Sequence, residues 1–506
     1  MLYSVIYFQL IGLDDYFHMY TYNTYREPCI LPHLDPFDPS VMKRVITLEP
    51  IACSGKPIVF FDNDNILQFN TTLISELQTT EDKIDCRCEH VIRINNDDMV
   101  NFSTPFSCQP PLNYEADFLK IKCVHGEDVL LESVLTKTHR RKTFKELNDN
   151  HFNVLLFGVD STSRSTSIRQ MPKTLQYLKE DLGAFDFKGH MIIEDGTFCN
   201  LMAILSGLYA SELPRVSEQS PWVDIYPFIW NNFTDLGYAT MFAEDTPSIG
   251  TFNLGVLKGF PKPPVDHYMR PYWLAWDTIY PHRGKTILGG LSRQFANVGV
   301  LKVLTEQASM CAGHVPNYVA HINYVRQFFN TYKKERKFAL PFLAEIGHDN
   351  PNILNLADSE IVKFIKDLES DGHLDDTFVF LFSDHGPRTG DGDTLPVKRL
   401  EKSLPMLYLV PPKKFRKSYP NLMNNLAQNT EILTTHFDLH ATLRDILNRN
   451  YAAPSSFSLN GRIRGHSLFQ HIPNNRSCSG KSDMMDVRTY GCFNCSILEP
   501  TCMIKV

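Results

Sequence analysis

Five short runs of unbroken apolar character limit what this chain can fold into. They are Asn153-Val-Leu-Leu-Phe-Gly-Val159, Tyr238-Ala-Thr-Met-Phe-Ala243, Phe338-Ala-Leu-Pro-Phe-Leu-Ala344, Thr377-Phe-Val-Phe-Leu-Phe382 and Leu404-Pro-Met-Leu-Tyr-Leu-Val410. A strand with one buried face alternates apolar and polar residues. A run that is apolar throughout must be covered on both faces, as in the interior of a parallel sheet. Between the runs lie stretches of helical character: Lys173 to Asp181, Leu201 to Leu208, and Ala357 to Glu369, where Ile361, Phe364, Ile365 and Leu368 share one stripe. Strands alternating with helices predict a doubly wound α/β domain, a mostly parallel sheet with helices on both faces. The hydrophobic content of 43% and charged content of 21% are those of a soluble globular chain. A net charge of −7 leaves no broad basic field, which argues against nucleic acid as a partner.

The cysteines divide the chain. Cys29, Cys53, Cys86, Cys88, Cys108 and Cys123 precede the α/β region, and Cys478, Cys492, Cys495 and Cys502 follow it; only Cys199 and Cys311 fall between. This distribution predicts disulfide-stapled flanks around a core that folds without them. Cys492 and Cys495 have zinc-like spacing but lack a second pair at adequate distance. Residues 1–148 read as a small cysteine-rich β region, with Thr138 to Asn150 as a linker. Residues 149–470 read as the α/β domain, and 471–506 as a cysteine-rich tail. Asn-x-Ser/Thr triplets at Asn70, Asn101, Asn232, Asn475 and Asn494 fit an extracellular or secretory-lumen setting. Met1 to Leu13 is too short for a membrane span and lacks the basic start of a signal peptide. The expectation is that the natural start lies upstream; membrane association stays open.

In a doubly wound sheet, ligands bind beyond the carboxyl ends of the strands. Asp160 ends one expected strand, Asp384 and His385 follow another, and His348 follows a third. Oxygen and nitrogen donors together suit zinc or manganese, whereas carboxylates alone suit magnesium or calcium. Thr197 precedes the apolar helical stretch from Leu201. A hydroxyl there is usually an N-cap. The same place, with its unpaired N–H groups, also favours an attacking alkoxide and an incoming anion.

In order, Phe157-Gly-Val-Asp160-Ser161, Thr197-Phe-Cys-Asn200 and Ser383-Asp384-His385-Gly386 resemble the alkaline phosphatase superfamily of phosphatases, phosphodiesterases, sulfatases and phosphoglycerol transferases. More closely, the chain resembles the sulfatase-like family catalogued as domain of unknown function number 229. The resemblance runs through Arg169-Gln-Met-Pro-Lys-Thr174, Asn200-Leu-Met-Ala-Ile-Leu-Ser-Gly207, Phe242-Ala-Glu-Asp245, Gly259-Phe-Pro-Lys-Pro-Pro264, Asp266-His-Tyr-Met-Arg-Pro271, Gly347-His348-Asp349 and Asp438-Leu-His-Ala-Thr-Leu443, and spans roughly residues 150 to 470. It implies an alkaline phosphatase-like fold, with Asp160, Asp384 and His385 as ligands of a divalent metal. Thr197 is implied as the nucleophile that also touches the metal, Asn200 as a contact to a non-bridging oxygen, and His348 as a substrate contact. The implied substrate is a phosphorylated or otherwise anionic ester, lipid or glycan linked among the options. The implied activity is phosphoester hydrolysis or phosphoryl-group transfer.

Two departures refine this. Sulfatases mature a Cys or Ser in Cys-x-Pro-x-Arg; here Thr197 stands instead and no such motif occurs, so sulfatase chemistry is the least favoured reading. Two-metal relatives carry an extra Asp-x-x-x-His pair and a later His. Ala344 stands four residues before His348, and His436, His440 and His466 lie in unconvincing settings, so one ion is favoured over two. Arg164 or Arg388 is expected to clamp substrate oxygens, and Asp245, Asp266, Tyr268 and Arg270 are candidates for the pocket wall. Cys199 reads as a small packed residue. The alternative to an enzyme is a catalytically inactive relative kept as an extracellular interaction protein.

Overall fold

The computed structural model describes residues 31–476, apart from 32, 54–56, 63–65, 95–96, 142–143, 145–146, 148–149, 218–220, 281–309 and 389–395. Seven strands make the central sheet, in the order His267–Tyr268, Ala239–Glu244, Lys337–Leu343, Asn153–Val159, Thr377–Phe382, Leu407–Val410 and Phe185–Asp186. The first five run parallel; Leu407–Val410 is antiparallel to both of its neighbours. All five apolar runs therefore contribute strands to one sheet. The last is shorter than its apolar run, because Met406 donates to the Thr162 carbonyl and Arg164 to the Leu404 carbonyl, which pulls 404–406 across the start of the next helix.

Alternation along Asn153–Val159 explains why no residue after Asn153 is polar. Leu155, Phe157 and Val159 enter a core with Leu175, Val325, Phe328, Ile361 and Phe364 from the helices Pro172–Gln176, Asn317–Thr331 and Leu354–Ser370. Val154 and Leu156 enter the opposite core with Leu201, Leu205, Trp230, Phe233 and Leu443 from Thr197–Ser206, Ile229–Leu236 and His436–Asn448. Side chains project alternately to the two faces of a strand, so two helical layers demand two apolar sets. The result is a doubly wound α/β fold, a mostly parallel sheet with helices on both faces.

The N-terminal region is a small β unit. Ile84–Arg93 and Phe118–His125 pair antiparallel, flanked by Val100–Phe102, Phe106–Ser107 and Asp128–Thr136. Ile84, Cys86 and Cys88 point inward while Asp85 and Arg87 face solvent. That inward register sets Cys86 opposite Cys123, to which it is disulfide-bonded; Cys88 bonds Cys108. A third disulfide, Cys53–Cys311, ties this region to the α/β domain. The Cys492–Cys495 pair lies outside the described residues.

Asp117 fastens the two parts together. Its buried carboxylate accepts from His267 Nδ1 at 2.9 Å, Tyr324 Oη at 3.0 Å and Arg141 at 2.7 Å. Burial alone would raise its pKa; the His267 imidazole and the Arg141 guanidinium outweigh burial and hold the carboxyl at about 2, against 3.8 ordinarily. A carboxyl depressed on folding stabilises the folded state above its unfolded pKa, and that gain is lost as pH falls through the folded value. The shift corresponds to about 2 kcal/mol. In urea unfolding, the native chain is expected to exceed Asp117→Asn by a constant margin above about pH 4, the margin shrinking as pH falls towards about 2. A pH-independent difference would refute this account.

Candidate active site

Four strands of the parallel sheet deliver polar residues to one edge. Asp160 follows Asn153–Val159, Asp245 follows Ala239–Glu244, Ala344 to His348 follow Lys337–Leu343, and Ser383 to His385 follow Thr377–Phe382. The crossing is tight: a Cβ on Gly347 would collide with the Asp160 carbonyl, so only glycine lets these loops pass. Ser161, directly after Asp160, has φ +56°, a left-handed conformation that is costly outside glycine and is held by its surroundings. That conformation aims the Ser161 N–H at Asp384 Oδ1 (3.1 Å) and its hydroxyl at Asp160 Oδ1 (2.7 Å).

Thr197 is the first residue of the helix Thr197–Ser206, and Gly196, not Thr197, occupies the cap position. The hydroxyl is thus free of the capping duty that a threonine at a helix start usually performs. It lies 3.3 Å from His385 Nε2. His385 Nδ1 lies 2.9 Å from the Gly386 carbonyl, which can only accept, so the ring proton sits on Nδ1 and Nε2 keeps its lone pair. That lone pair is 3.2 Å from Asp384 Oδ2 and 3.9 Å from Asp160 Oδ1. Ligand atoms of Asp160, Asp384 and His385, all buried, lie within 4.8 Å of one another, the only such group among the described residues. Asp384 Oδ2 has no hydrogen-bond partner.

Buried acceptors facing one another are unstable without a cation between them. Burial, followed by the charge of Asp384, pushes the Asp160 carboxyl well above its ordinary value. Burial would do the same to Asp384, but the neighbouring His385 and the hydrogen bonds its carboxylate accepts, the Ser161 N–H among them, together outweigh burial and the net shift is downward. Burial drives the His385 imidazole down, keeping it neutral and able to ligate. The donor set of two carboxylates, one imidazole and a hydroxyl fits a divalent ion.

Around Thr197 the structure separates the arginine candidates. Arg388 donates from Nε to His385 Nε2 (3.0 Å) and from Nη2 towards the Thr197 hydroxyl (3.4 Å). Arg164 is instead engaged bidentately with Asp186 at 2.7 and 2.8 Å. Lys402, which nothing in the sequence marked, donates to Asp195 at 2.7 Å, two residues before Thr197. Its backbone carbonyl also accepts from Gly386 N–H, tying the helix Pro396–Ser403 to the turn after His385.

Asn200 has another occupation than an oxygen contact. Its fully buried amide accepts from Ile193 N–H (2.9 Å) and donates to the carbonyls of Glu194 (2.8 Å) and Gly196 (3.0 Å), shaping the loop before Thr197. His348 pairs with Asp349 at 2.8 Å and is about a third exposed. It shows no contact with the acidic group. Asp245 accepts from the N–H groups of Ala344 (2.7 Å) and Glu345 (3.2 Å), bracing the turn that carries His348; burial and then Glu345 raise its pKa to about 8. The other pocket-wall candidates are structural. Asp266 binds Thr240, while Tyr268 and Arg270 hold the carboxylate and carbonyl of Asp97. Cys199 is not a free packed residue: it is disulfide-bonded. His440 donates to the Ile204 carbonyl, as a packed helix residue would, and His466 lies 2.9 Å from Ser456.

A family model matches residues 49–482, most of the chain. The protein belongs to the family described as "Protein of unknown function (DUF229)". No curated protein matches this DUF229 chain. Solved structures it resembles include an alkaline phosphatase superfamily protein from Vibrio parahaemolyticus (12% identity, TM-score 0.38, 60% of this chain and 68% of that one). The phosphonate monoester hydrolase from Silicibacter pomeroyi is similar at 14% identity and TM-score 0.40 over 63% and 76% of the two chains. The C-terminal periplasmic domain of EcEptC from Escherichia coli, in complex with Zn, is similar at 14% identity and TM-score 0.37 over 60% and 84%.

Proposed function

We propose that this DUF229 protein is a metal-dependent phosphoester hydrolase or phosphoryl-group transferase that uses Thr197 as its nucleophile. The observation that carries the reading is the convergence of Asp160, Asp384 and His385 Nε2 on a threonine hydroxyl relieved of helix capping. Asp160, Asp384, His385 and the Thr197 oxygen would hold the ion, zinc or manganese by their donor types, and a single ion by the one such group among the described residues. When bound, such an ion lowers the pKa of a hydroxyl and offsets negative charge on a phosphoryl oxygen.

The residues supply the rest. Thr197 Oγ1 attacks phosphorus in line, its proton passing to solvent. The new Oγ1–P bond forms as the bond to the leaving oxygen breaks, and that oxygen takes its proton from water. Water or an acceptor alcohol then attacks phosphorus and returns the Thr197 oxygen. Arg388, beside the hydroxyl, can face the equatorial oxygens, as can the N–H groups of the first helical turn. Asn200 acts as a positioning residue that shapes the loop before Thr197, and His348 is kept as a substrate contact from the mouth of the site.

We also place the protein in an oxidising compartment, extracellular or secretory-lumenal. Three disulfides between described residues and the exposed sequon residues Asn101, Asn232 and Asn475 support that placement. Among the described residues no helix is long and apolar enough to cross a membrane. The test is metal dependence. The purified protein should carry a single equivalent of zinc or manganese by elemental analysis. Dialysis against a chelator should abolish cleavage of an aryl phosphate ester, and returning the ion should restore it. Full activity after complete metal removal would defeat the proposal.

A further inference from the structure

Behind the Asp384 backbone lies a pair of histidines that the proposed chemistry does not use. His436 Nε2 is 2.7 Å from the Asp384 carbonyl oxygen. A carbonyl only accepts, so His436 carries its proton on Nε2 and its Nδ1 is left with a lone pair. His190 Nε2 lies 3.1 Å from that Nδ1 and must be the donor. His190 Nδ1 then accepts from the Thr434 hydroxyl at 3.2 Å. One carbonyl thereby dictates both tautomers, and the chain of donors runs in one direction from Thr434 to Asp384. Both rings are fully buried and meet edge to face, with centroids 4.8 Å apart.

The two rings join three pieces of the site. His190 lies in the short parallel pair His190–Met191 with Thr434–Thr435, on the segment that leads to Thr197. His436 is the first residue of the helix His436–Asn448, whose start is fixed by a reciprocal bond pair between Thr435 and Asp438. Asp384 is the residue they reach. A satisfied core histidine needs only a partner. This pair spans the backbones that carry the nucleophile and two of the ligand candidates.

We propose that His190 and His436 form a positioning relay that holds the Asp384 main chain in register with the Thr197 segment and so sets the spacing of the cation-binding group. The inference rests on reading Asp160, Asp384 and His385 as a cation site. Partners that orient ligands in this way are worth about 10–100-fold in metal affinity. Titration calorimetry of the chelator-treated full chain with Zn²⁺ and with Mn²⁺ tests it, with the melting midpoint of the metal-free protein measured alongside. His436→Phe, which keeps a ring but has no donor, is expected to weaken binding about 10–100-fold. His436→Asn, polar but too short to reach the carbonyl, should do the same even if the Phe variant fails to fold. His436→Gln, whose amide nitrogen can reach the Nε2 position, should restore most of the affinity. Unchanged binding in His436→Asn, or a Gln variant as weak as the Asn variant, overturns the relay while leaving the cation site standing. A native protein that binds neither ion overturns both.

Discussion

Thr197→Ala should lower turnover of an aryl phosphomonoester or phosphodiester by about 10⁴-fold or more, as expected for removal of a covalent nucleophile. Stability should change little, because Gly196 holds the cap position and the Thr197 side chain caps nothing. The bonds lost include those to His385 and Arg388. Thr197→Ser is the informative companion, since it keeps an attacking oxygen in the same place and should retain measurable turnover. If the alanine variant cleaved these substrates at the native rate, the nucleophile would have to be sought elsewhere. If the native protein lacked turnover while holding stoichiometric metal, the family fold would be serving as a binding module.

The second large effect concerns a buried ion pair outside the acidic group. Arg169 and Glu401 form a buried bidentate ion pair, with both contacts at 2.8 Å and side chains only 5% and 6% exposed. Glu401→Ala leaves the guanidinium buried without its counter-charge, which costs about 3–5 kcal/mol. Activity should fall as well, because the pair anchors the end of the helix that presents Lys402 and accepts from Gly386. The damage should come from the orphaned charge and not from the missing carboxylate. Replacing both partners, as in Arg169→Met with Glu401→Met, should therefore recover most of the loss in a denaturation experiment. A double variant as unstable as Glu401→Ala would show that the pair's bonds to Ser163, Thr166 and the Pro36 carbonyl matter more than charge balance.

Much of the fold was readable because its signal is local. A strand such as Thr377–Phe382 is apolar at every position after its first whatever its neighbours are, and that alone demands cover on both faces. The helix Leu354–Ser370 likewise declares its buried stripe through Ile361, Phe364 and Leu368. Direction is not local: the run ending at Val410 looks like its parallel neighbours yet pairs antiparallel, because orientation depends on the path of the connecting chain. Tyr268 and Arg270 were open to a pocket role because their partner, Asp97, lies in a different structural unit and far away in sequence.

The same division runs through the site. By itself the sequence determined that Asp160, Asp384 and His385 stand at the ends of buried strands and Thr197 at the start of a helix. Strand ends and helix starts are written in short windows of residues, and in a doubly wound sheet such ends share one edge. Only the tertiary structure decided which cations and bracing groups join them. It retained Arg388 and placed Arg164 on Asp186, brought in Lys402, turned Asn200 inward to its own loop, and set His436 against Asp384. Each of these is a meeting of groups brought together by closure of the sheet and packing of its helices. Distances of 3 Å across that closure leave no trace in the spacing of residues along the chain.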